Sequence, residues 1–282
     1  MEAASAGTNT PGLPAAAGPA PLVSVTICTY NGAAYLRKTI DSVLAQTYAN
    51  LEIVIVDDGS TDNTREVLEE AAKCDPRIKV FFQKNAGLPS ARNAAFERAS
   101  GEWIAIIDQD DLCYPTRIER QLACSRANPS ADLIFCDTEY IDEHDKVIGR
   151  HLEKFPLPGT FLPRKDAANL LLQMGCFVDS ESFFMKKAAI ARVGALVTTM
   201  SYVCDYEYFV RAGFVCDFAY TPEKLAAWRI HSSQATKTSK KQFSELVTVL
   251  KMYRRHKDLT WKTRLIVLYK IAKYTIRNLW VR

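Results

Sequence analysis

No run of about eighteen or more apolar residues occurs in the 282-residue chain, so no segment reads as a membrane-spanning helix. The first 21 residues lack a basic start and a continuous apolar core, which argues against a secretory signal; being rich in Ala, Pro and Gly, residues 1–21 are expected to form a disordered leader. The eight cysteines (Cys28, Cys74, Cys113, Cys124, Cys136, Cys176, Cys204 and Cys216) include no C-x-x-C pair. That spacing disfavours a zinc site or a disulfide framework and suits buried free thiols in a reducing compartment. There is no G-x-G-x-x-G, which disfavours a hydride-transferring dinucleotide enzyme, and no internal repeat.

What the chain does contain, 48% hydrophobic and 24% charged residues, suits one globular domain with appendages. Its net charge of +4 is unevenly spread. Between Lys237 and Arg282 thirteen Lys and Arg residues face only Glu245 and Asp258, a local charge of +11 that leaves −7 for the rest. The tail therefore faces a different partner from the body.

Apolar strand patterns alternate with helical ones: Val23–Cys28 then 33–46, Leu51–Val56 then 62–73, Ile78–Phe82 then 89–99, and 103–107 then 115–127. Four β–α repeats predict an α/β fold with a doubly wound, mainly parallel sheet flanked by helices. Ligands of such sheets bind beyond the carboxyl ends of the strands. Those ends carry Thr29-Tyr30-Asn31, Asp57-Asp58-Gly59-Ser60, Lys84-Asn85-Ala86-Gly87 and Asp108-Gln109-Asp110-Asp111, a polar rim that packing alone does not explain. Farther on, residues 133–136 and 182–186 read as strands, separated by a Pro/Gly-rich stretch at 155–163.

The three aspartates directly after the apolar run Trp103-Ile104-Ala105-Ile106-Ile107 repel one another unless something positive sits among them. Asp-x-Asp after a strand suits a hard divalent cation whose remaining positions are filled by water and phosphate oxygens. Solvated acids capping the following helix are an equally open reading.

Four segments in this order, Val23 through Asn31, Val56 through Asp62, Gly87 through Asn93 (Gly-Leu-Pro-Ser-Ala-Arg-Asn) and Asp108 through Asp111, resemble the signatures of family-2 glycosyltransferases with a GT-A fold. The resemblance spans roughly residues 22–235 and implies that a nucleoside-diphosphate sugar, with uridine as the leading base, lies across the first strand ends. It implies that Tyr30 packs against the base, Asp58 accepts a hydrogen bond from it, Arg92 approaches the phosphates, and Asp108 and Asp110 hold the ribose and an Mn²⁺ or Mg²⁺ ion. Thr29 and Asn31 belong to the same nucleotide-binding rim. Read structurally, Tyr30 is a packing aromatic, Asp58 a turn former and Arg92 a solvated helix residue. Cys28 stands where many relatives have proline.

Residues Val203-Cys204-Asp205-Tyr206-Glu207 resemble the family's acidic motif at a helix start, with Cys204 at the usual Glu position. The resemblance makes Asp205 the catalytic base that takes the acceptor's proton, with Glu207 next in line; a helix N-cap role for Asp205 stays open. Trp228-Arg229-Ile230-His231 is similar to the family's Arg-x-His strand end, in which His231 is either a metal ligand beside Asp110 or a structural hydrogen-bonding residue. Trp103 and Trp228 are expected in the core.

In 261–282, Trp261, Leu265, Leu268, Tyr269, Ala272, Ile276, Leu279 and Trp280 recur at helical spacing with basic residues between them. Such a helix suits an anionic membrane surface, or packs its stripe on the domain or on a second subunit; nucleic-acid binding lacks a module. The expected division is a leader at 1–21, a GT-A catalytic domain at 22–236 and a basic helical tail at 237–282. The expected activity is inverting, metal-dependent transfer of a sugar to a hydroxyl of a glycan or lipid-linked acceptor, as in cell-surface polysaccharide synthesis, by a cytoplasmic protein that is peripheral on the inner membrane face. A non-catalytic sugar-nucleotide or glycan-binding scaffold is the alternative.

Overall fold

The computed structural model describes residues 20–232, 234 and 240–280. Most of the expected leader and the tail residues 237–239 and 281–282 lie outside the described residues. In chain order the elements are β1 (Val23–Thr29), α1 (Ala33–Leu44), β2 (Leu51–Asp57), α2 (Thr64–Cys74), β3 (Ile78–Phe82), α3 (Leu88–Arg98), β4 (Trp103–Ile106), β5 (Leu112–Cys113), α4 (Arg117–Ala127), β6 (Ala131–Ile141) and β7 (Val147–Arg150). They continue with β8 (Phe161–Leu162), α5 (Asp166–Met174), β9 (Phe184–Lys186), α6 (Lys187–Val193), α7 (Cys204–Val215), β10 (Asp217–Arg229), α8 (Lys240–Tyr253) and α9 (Trp261–Trp280).

One sheet runs in the order β3-β2-β1-β4-β9-β6-β10-β5, with β7 added to β6 and β8 to β10. The first half is parallel, as the β–α alternation predicts: β1 pairs with β2 and β4, and β2 with β3. Every residue of β1 and β2 is buried, which is why these strands read as nearly continuous apolar runs. In the second half β9 runs antiparallel between β4 and β6, while the long β10 is parallel to β6. The register sets Thr29 beside Asp57 and Asp57 beside Phe82, so three strand ends finish level and form one rim.

Most expected boundaries shift by one or two residues, and two of the shifts have plain local causes. The helix expected from residue 115 begins at Arg117, because Arg117 N–H first closes a turn onto the Tyr114 carbonyl. The strand expected from residue 182 begins at Phe184, because Asp179 accepts the Ser182 N–H and winds Ser180–Ser182 into a 3-10 turn. The strand expected at 133–136 extends over Ala131–Ile141.

One face of the sheet buries Ile27, Leu36, Ile40 and Ile55 with α1 and α2. The other buries Phe183, Met185 and Phe209 with α5, α6 and α7, and the same core takes in Val249, Leu250 and Leu259 with Val267 of α9. At the amino ends of the strands, away from the rim, buried Glu52 accepts from Ser24 Oγ, from Lys79 Nζ at 2.6 Å and from Ser100 N–H. Burial works against its charge, but these donors hold the carboxyl below its ordinary range.

Gly101 donates its N–H to Ser24 Oγ at this same end, and a Cβ there would lie 2.6 Å from Ser24 N and 2.8 Å from the Leu22 carbonyl oxygen. Backbone cannot swing aside as a flexible side chain does. Gly101→Ala is expected to lose about 1–3 kcal/mol, read as a lower urea midpoint at unchanged slope. A midpoint equal to that of the wild type would show that the strand end has room to spare.

Candidate active site at the strand ends

The β1–α1 turn is held against the acidic loop by Gln109, a residue the sequence pattern did not single out. Its Oε1 accepts from Thr29 Oγ1 at 2.7 Å and from Tyr30 N–H at 2.9 Å. Thr29 is thereby buried, while the Tyr30 ring stands exposed at 47%. Asn31 takes φ 51°, in the left-handed region that asparagine tolerates, and its Oδ1 accepts from Thr61 N–H at 2.8 Å. Asp58 lies beneath the rim. Both its oxygens serve the next loop, accepting from Gln83 Nε2 at 2.7 Å, Ala86 N–H at 3.0 Å and Gly87 N–H at 2.8 Å.

Arg92 sits one turn into α3, a helix whose start is fixed by Pro89. Its side chain is 2% exposed, so its charge needs close partners. It donates through Nη2 to Asp108 Oδ1 at 2.7 Å, Asp108 Oδ2 at 2.9 Å and Ser180 Oγ at 3.0 Å, and through Nη1 to Asp205 Oδ1. Ser180 Oγ in turn donates to Asp205 Oδ2 at 3.3 Å. Burial disfavours the guanidinium charge, yet Asp108 and Asp205 raise its pKa above the ordinary value, so Arg92 stays cationic. The structure thus joins three predicted site residues from α3, the end of β4 and α7, with Ser180 as an unforeseen fourth.

Asp205 is not the N-cap of α7. Val203 holds that position and Asp205 lies in the first turn, where the helix dipole favours a carboxylate. Glu207, the alternative base, is buried and bound by Arg211 Nε at 3.0 Å, Arg211 Nη2 at 2.9 Å and Tyr253 Oη at 2.7 Å, so it faces no substrate.

Asp110 and His231 also meet, with Oδ2 and Nε2 2.8 Å apart. Arg229, fully buried, donates to the Asp110 carbonyl at 2.8 Å through Nε, and its N–H reaches Asp111 Oδ1 at 2.7 Å, which ties the end of β10 to the acidic loop. Asp108, Asp111 and Glu181 each bring one carboxylate oxygen within 4.8 Å of the others. Asp111 and Glu181 are buried, and burial, reinforced by the charge of Asp110 at Asp111 and of Asp111 at Glu181, holds both well above the carboxylate range, so the pair retains a proton behind the rim. Glu181 escaped sequence reading although the polar Asp179-Ser180-Glu181-Ser182 abuts an apolar strand just as the Asp108 loop does. The thiol of Cys28, pushed up to about 12 by burial, is no nucleophile.

A cavity of about 750 Å³ opens from this cluster toward the C-terminal helices. Asp108, Asp205, Asp179 and Glu181 lie at one end, Phe209, Phe243, Leu246 and Leu250 form an apolar wall, and Lys270, Tyr274 and Arg277 of α9 close the other side. Trp228, expected in the core, instead lines this cavity with its ring edge-on to Tyr140 at 5.5 Å. Lys270 donates to the Leu172 carbonyl at 3.0 Å.

Residues 24–192 match the family described as Glycosyl transferase family 2. An uncharacterized glycosyltransferase of Rickettsia typhi is 32% identical over 231 residues, which covers 80% of this chain and 69% of that protein. Staphylococcus aureus TarS 1-349 in complex with UDP-GlcNAc superimposes with a TM-score of 0.66 at 17% identity, over 90% of this chain and 72% of that one. The mannosyltransferase PcManGT from Pyrobaculum calidifontis, in complex with GDP-Man and Mn²⁺, gives 0.66 at 19% identity over 92% and 71%. These two likenesses establish the shared fold.

Burial, reinforced by Lys273, pushes the Lys270 ammonium down to about 8 from 10.5. Its folded pKa is depressed, so folding gains stability from this residue as pH rises from about 8 to 10.5 and loses it as pH falls back through 8. The difference in unfolding free energy between wild type and Lys270→Met is expected to grow in favour of the wild type across that window. A difference flat in pH would mean that Lys270 is solvated.

Proposed function

The chain belongs to glycosyltransferase family 2, and from that premise we propose that it is an inverting, metal-dependent enzyme moving a sugar from a nucleoside-diphosphate donor to a hydroxyl of a glycan or lipid-linked acceptor. The observation that carries this reading is the Arg92 junction, where Asp108 at the strand rim and Asp205 at the cavity share one buried cation. The donor lies along the rim with its base against exposed Tyr30, on a floor that Thr29, Asn31 and Asp58 keep rigid. UDP-GlcNAc bound to TarS supports a UDP-sugar, and GDP-Man on PcManGT is the competing choice. The catalytic domain at 22–236 supplies this rim, and the tail at 237–282 completes the acceptor wall.

The carboxylates fit a divalent cation, because negative charge is crowded here and burial pushes the Asp110 carboxyl up while the hydrogen bond from His231 opposes it. Asp110 and His231 would hold Mn²⁺ or Mg²⁺, since Asp111 and Glu181 stay buried behind them. When bound, such an ion offsets the charge that develops on the diphosphate.

Asp205 is held by Arg92 at one oxygen and Ser180 at the other, which aims it into the cavity. It takes the proton of the acceptor hydroxyl as that oxygen bonds to the anomeric carbon from the face opposite the diphosphate. The carbon–oxygen bond to the diphosphate breaks in the same step, its electron pair leaves with the phosphate oxygen, and the anomeric configuration inverts without a covalent enzyme intermediate. The acceptor's remaining length fills the cavity between the acidic end and α9, and cell-surface glycan building at the inner membrane face belongs to the same reading.

Asp205→Asn keeps the shape but cannot take a proton, so turnover is expected to fall by roughly two to four orders of magnitude with donor affinity nearly unchanged. Near-wild-type turnover with the true acceptor would remove Asp205 from the chemistry. Asp110→Ala is expected to stay folded and lose the Mn²⁺-dependent part of UDP binding in calorimetry. Equal UDP affinity of the wild type with Mn²⁺ and after chelation would take the metal out of the mechanism.

A further inference from the structure

α9 has two working faces. Thr263, Val267, Ile271 and Tyr274 turn inward onto the protein, with Thr263 and Val267 fully buried. The apolar residues Trp261, Leu265, Leu268, Tyr269 and Ile276 are instead 76%, 59%, 53%, 65% and 58% exposed. At 3.6 residues per turn these five share one stripe with exposed Ala272, bordered by Lys262 and Lys273 on one side and Arg264 on the other. An exposed, contiguous apolar stripe of this kind marks a contact surface rather than ordinary scatter.

Charge identifies the occupant. Lys240, Lys241, Lys251, Arg254, Arg255, Lys257, Lys262, Arg264, Lys273 and Arg277 are all exposed on α8, α9 and the turn between them. Neither acid in this segment offsets them: Glu245 is buried and accepts the N–H groups of Ser201, Tyr202 and Val203, and Asp258 pairs with Lys165 at 3.1 Å. Two copies meeting through this face would oppose like charges, whereas an anionic bilayer satisfies both the apolar stripe and its cationic border. Among the described residues no helix is long and apolar enough to cross a membrane, which fits a helix lying in the interface plane.

We propose that the outer face of α9 is an interfacial helix that seats the protein on an anionic lipid surface, with Trp261, Leu265, Leu268, Tyr269 and Ile276 entering the headgroup boundary and the flanking lysines and arginines contacting lipid phosphates. The inner edge of the same helix carries Lys270, Tyr274 and Arg277 into the cavity, so the cavity wall lies next to the bilayer. The seating itself needs only the outer face and does not depend on the donor chemistry proposed above.

The test is sedimentation of the full chain with vesicles of phosphatidylcholine alone and of phosphatidylcholine mixed with phosphatidylglycerol. Binding is expected at least about tenfold tighter to the mixed vesicles and weaker with added salt, since the charge contribution is screened over about 8–10 Å. The double substitution Leu265→Glu with Leu268→Glu is expected to cut that binding at least about tenfold at unchanged melting temperature. Equal binding to both vesicle types, or wild-type vesicle binding by the double variant, overturns the proposal. So does a dimer in light scattering that the substitutions dissolve in a protein that does not sediment with vesicles, which assigns the stripe to a second copy. UDP binding measured on the same preparations separates lipid seating from donor chemistry: vesicle binding without UDP binding would sink the donor reading and leave the seating intact.

Discussion

The Arg92 guanidinium is a full charge placed where almost no water reaches, and much of the site's geometry answers to that fact. Removing one partner from a buried ion pair typically costs about 3–5 kcal/mol, far more than the intact pair contributes over an apolar replacement. Asp108, Asp205 and Ser180 are therefore bound to Arg92 as a set, although they come from three separate stretches of chain. The parallel half of the sheet delivers α3 and Asp108, and the mixed half delivers Ser180 and Asp205. A single cation registers the two halves against each other where the strand rim meets the cavity.

The two ends of the sheet handle buried acid differently. At the amino end Glu52 is charged and fully satisfied by donors, which gives rigidity and no reactivity. At the carboxyl end Asp111 and Glu181 share a proton in the interior while Asp108 and Asp110 stay nearer solvent. The rim carboxylates are thus the ones that a cationic or proton-donating ligand can reach.

The parallel half of the fold was legible because β1, β2 and β4 are buried along their whole length and α1 and α2 are amphipathic, so periodicity and burial carry the same information. The rim could be read for the same reason: polar residues at the ends of apolar runs have nowhere else to go. Gln109 and Ser180 were not legible, because their roles depend on hydrogen bonds to residues about eighty positions away, such as Gln109 to Thr29 and Ser180 to Arg92. Trp228 was assigned to the core on its chemical type alone, and only the position of the cavity corrects that. In α9 the apolar periodicity was plain, but periodicity cannot say which of two faces packs inward. The structure buries the quieter face of Thr263 and Val267, with Tyr274 half-buried beside them, and leaves the louder one outside.

The cavity is walled by two stretches of very different standing. Asp108, Asp179 and Glu181 of its acidic end lie inside the family match at 24–192, whereas Asp205 and, on the far wall, Phe243, Leu246, Lys270, Tyr274 and Arg277 all lie beyond it. The acidic rim and the far wall therefore occupy separate parts of the chain and can change at separate rates, with Asp205 standing between them. Exchanging α9 alone would redraw the shape and charge of the far wall while Asp108, Ser180 and Asp205 keep their bonds to Arg92, a latitude that α8 lacks because its Glu245 holds the start of α7.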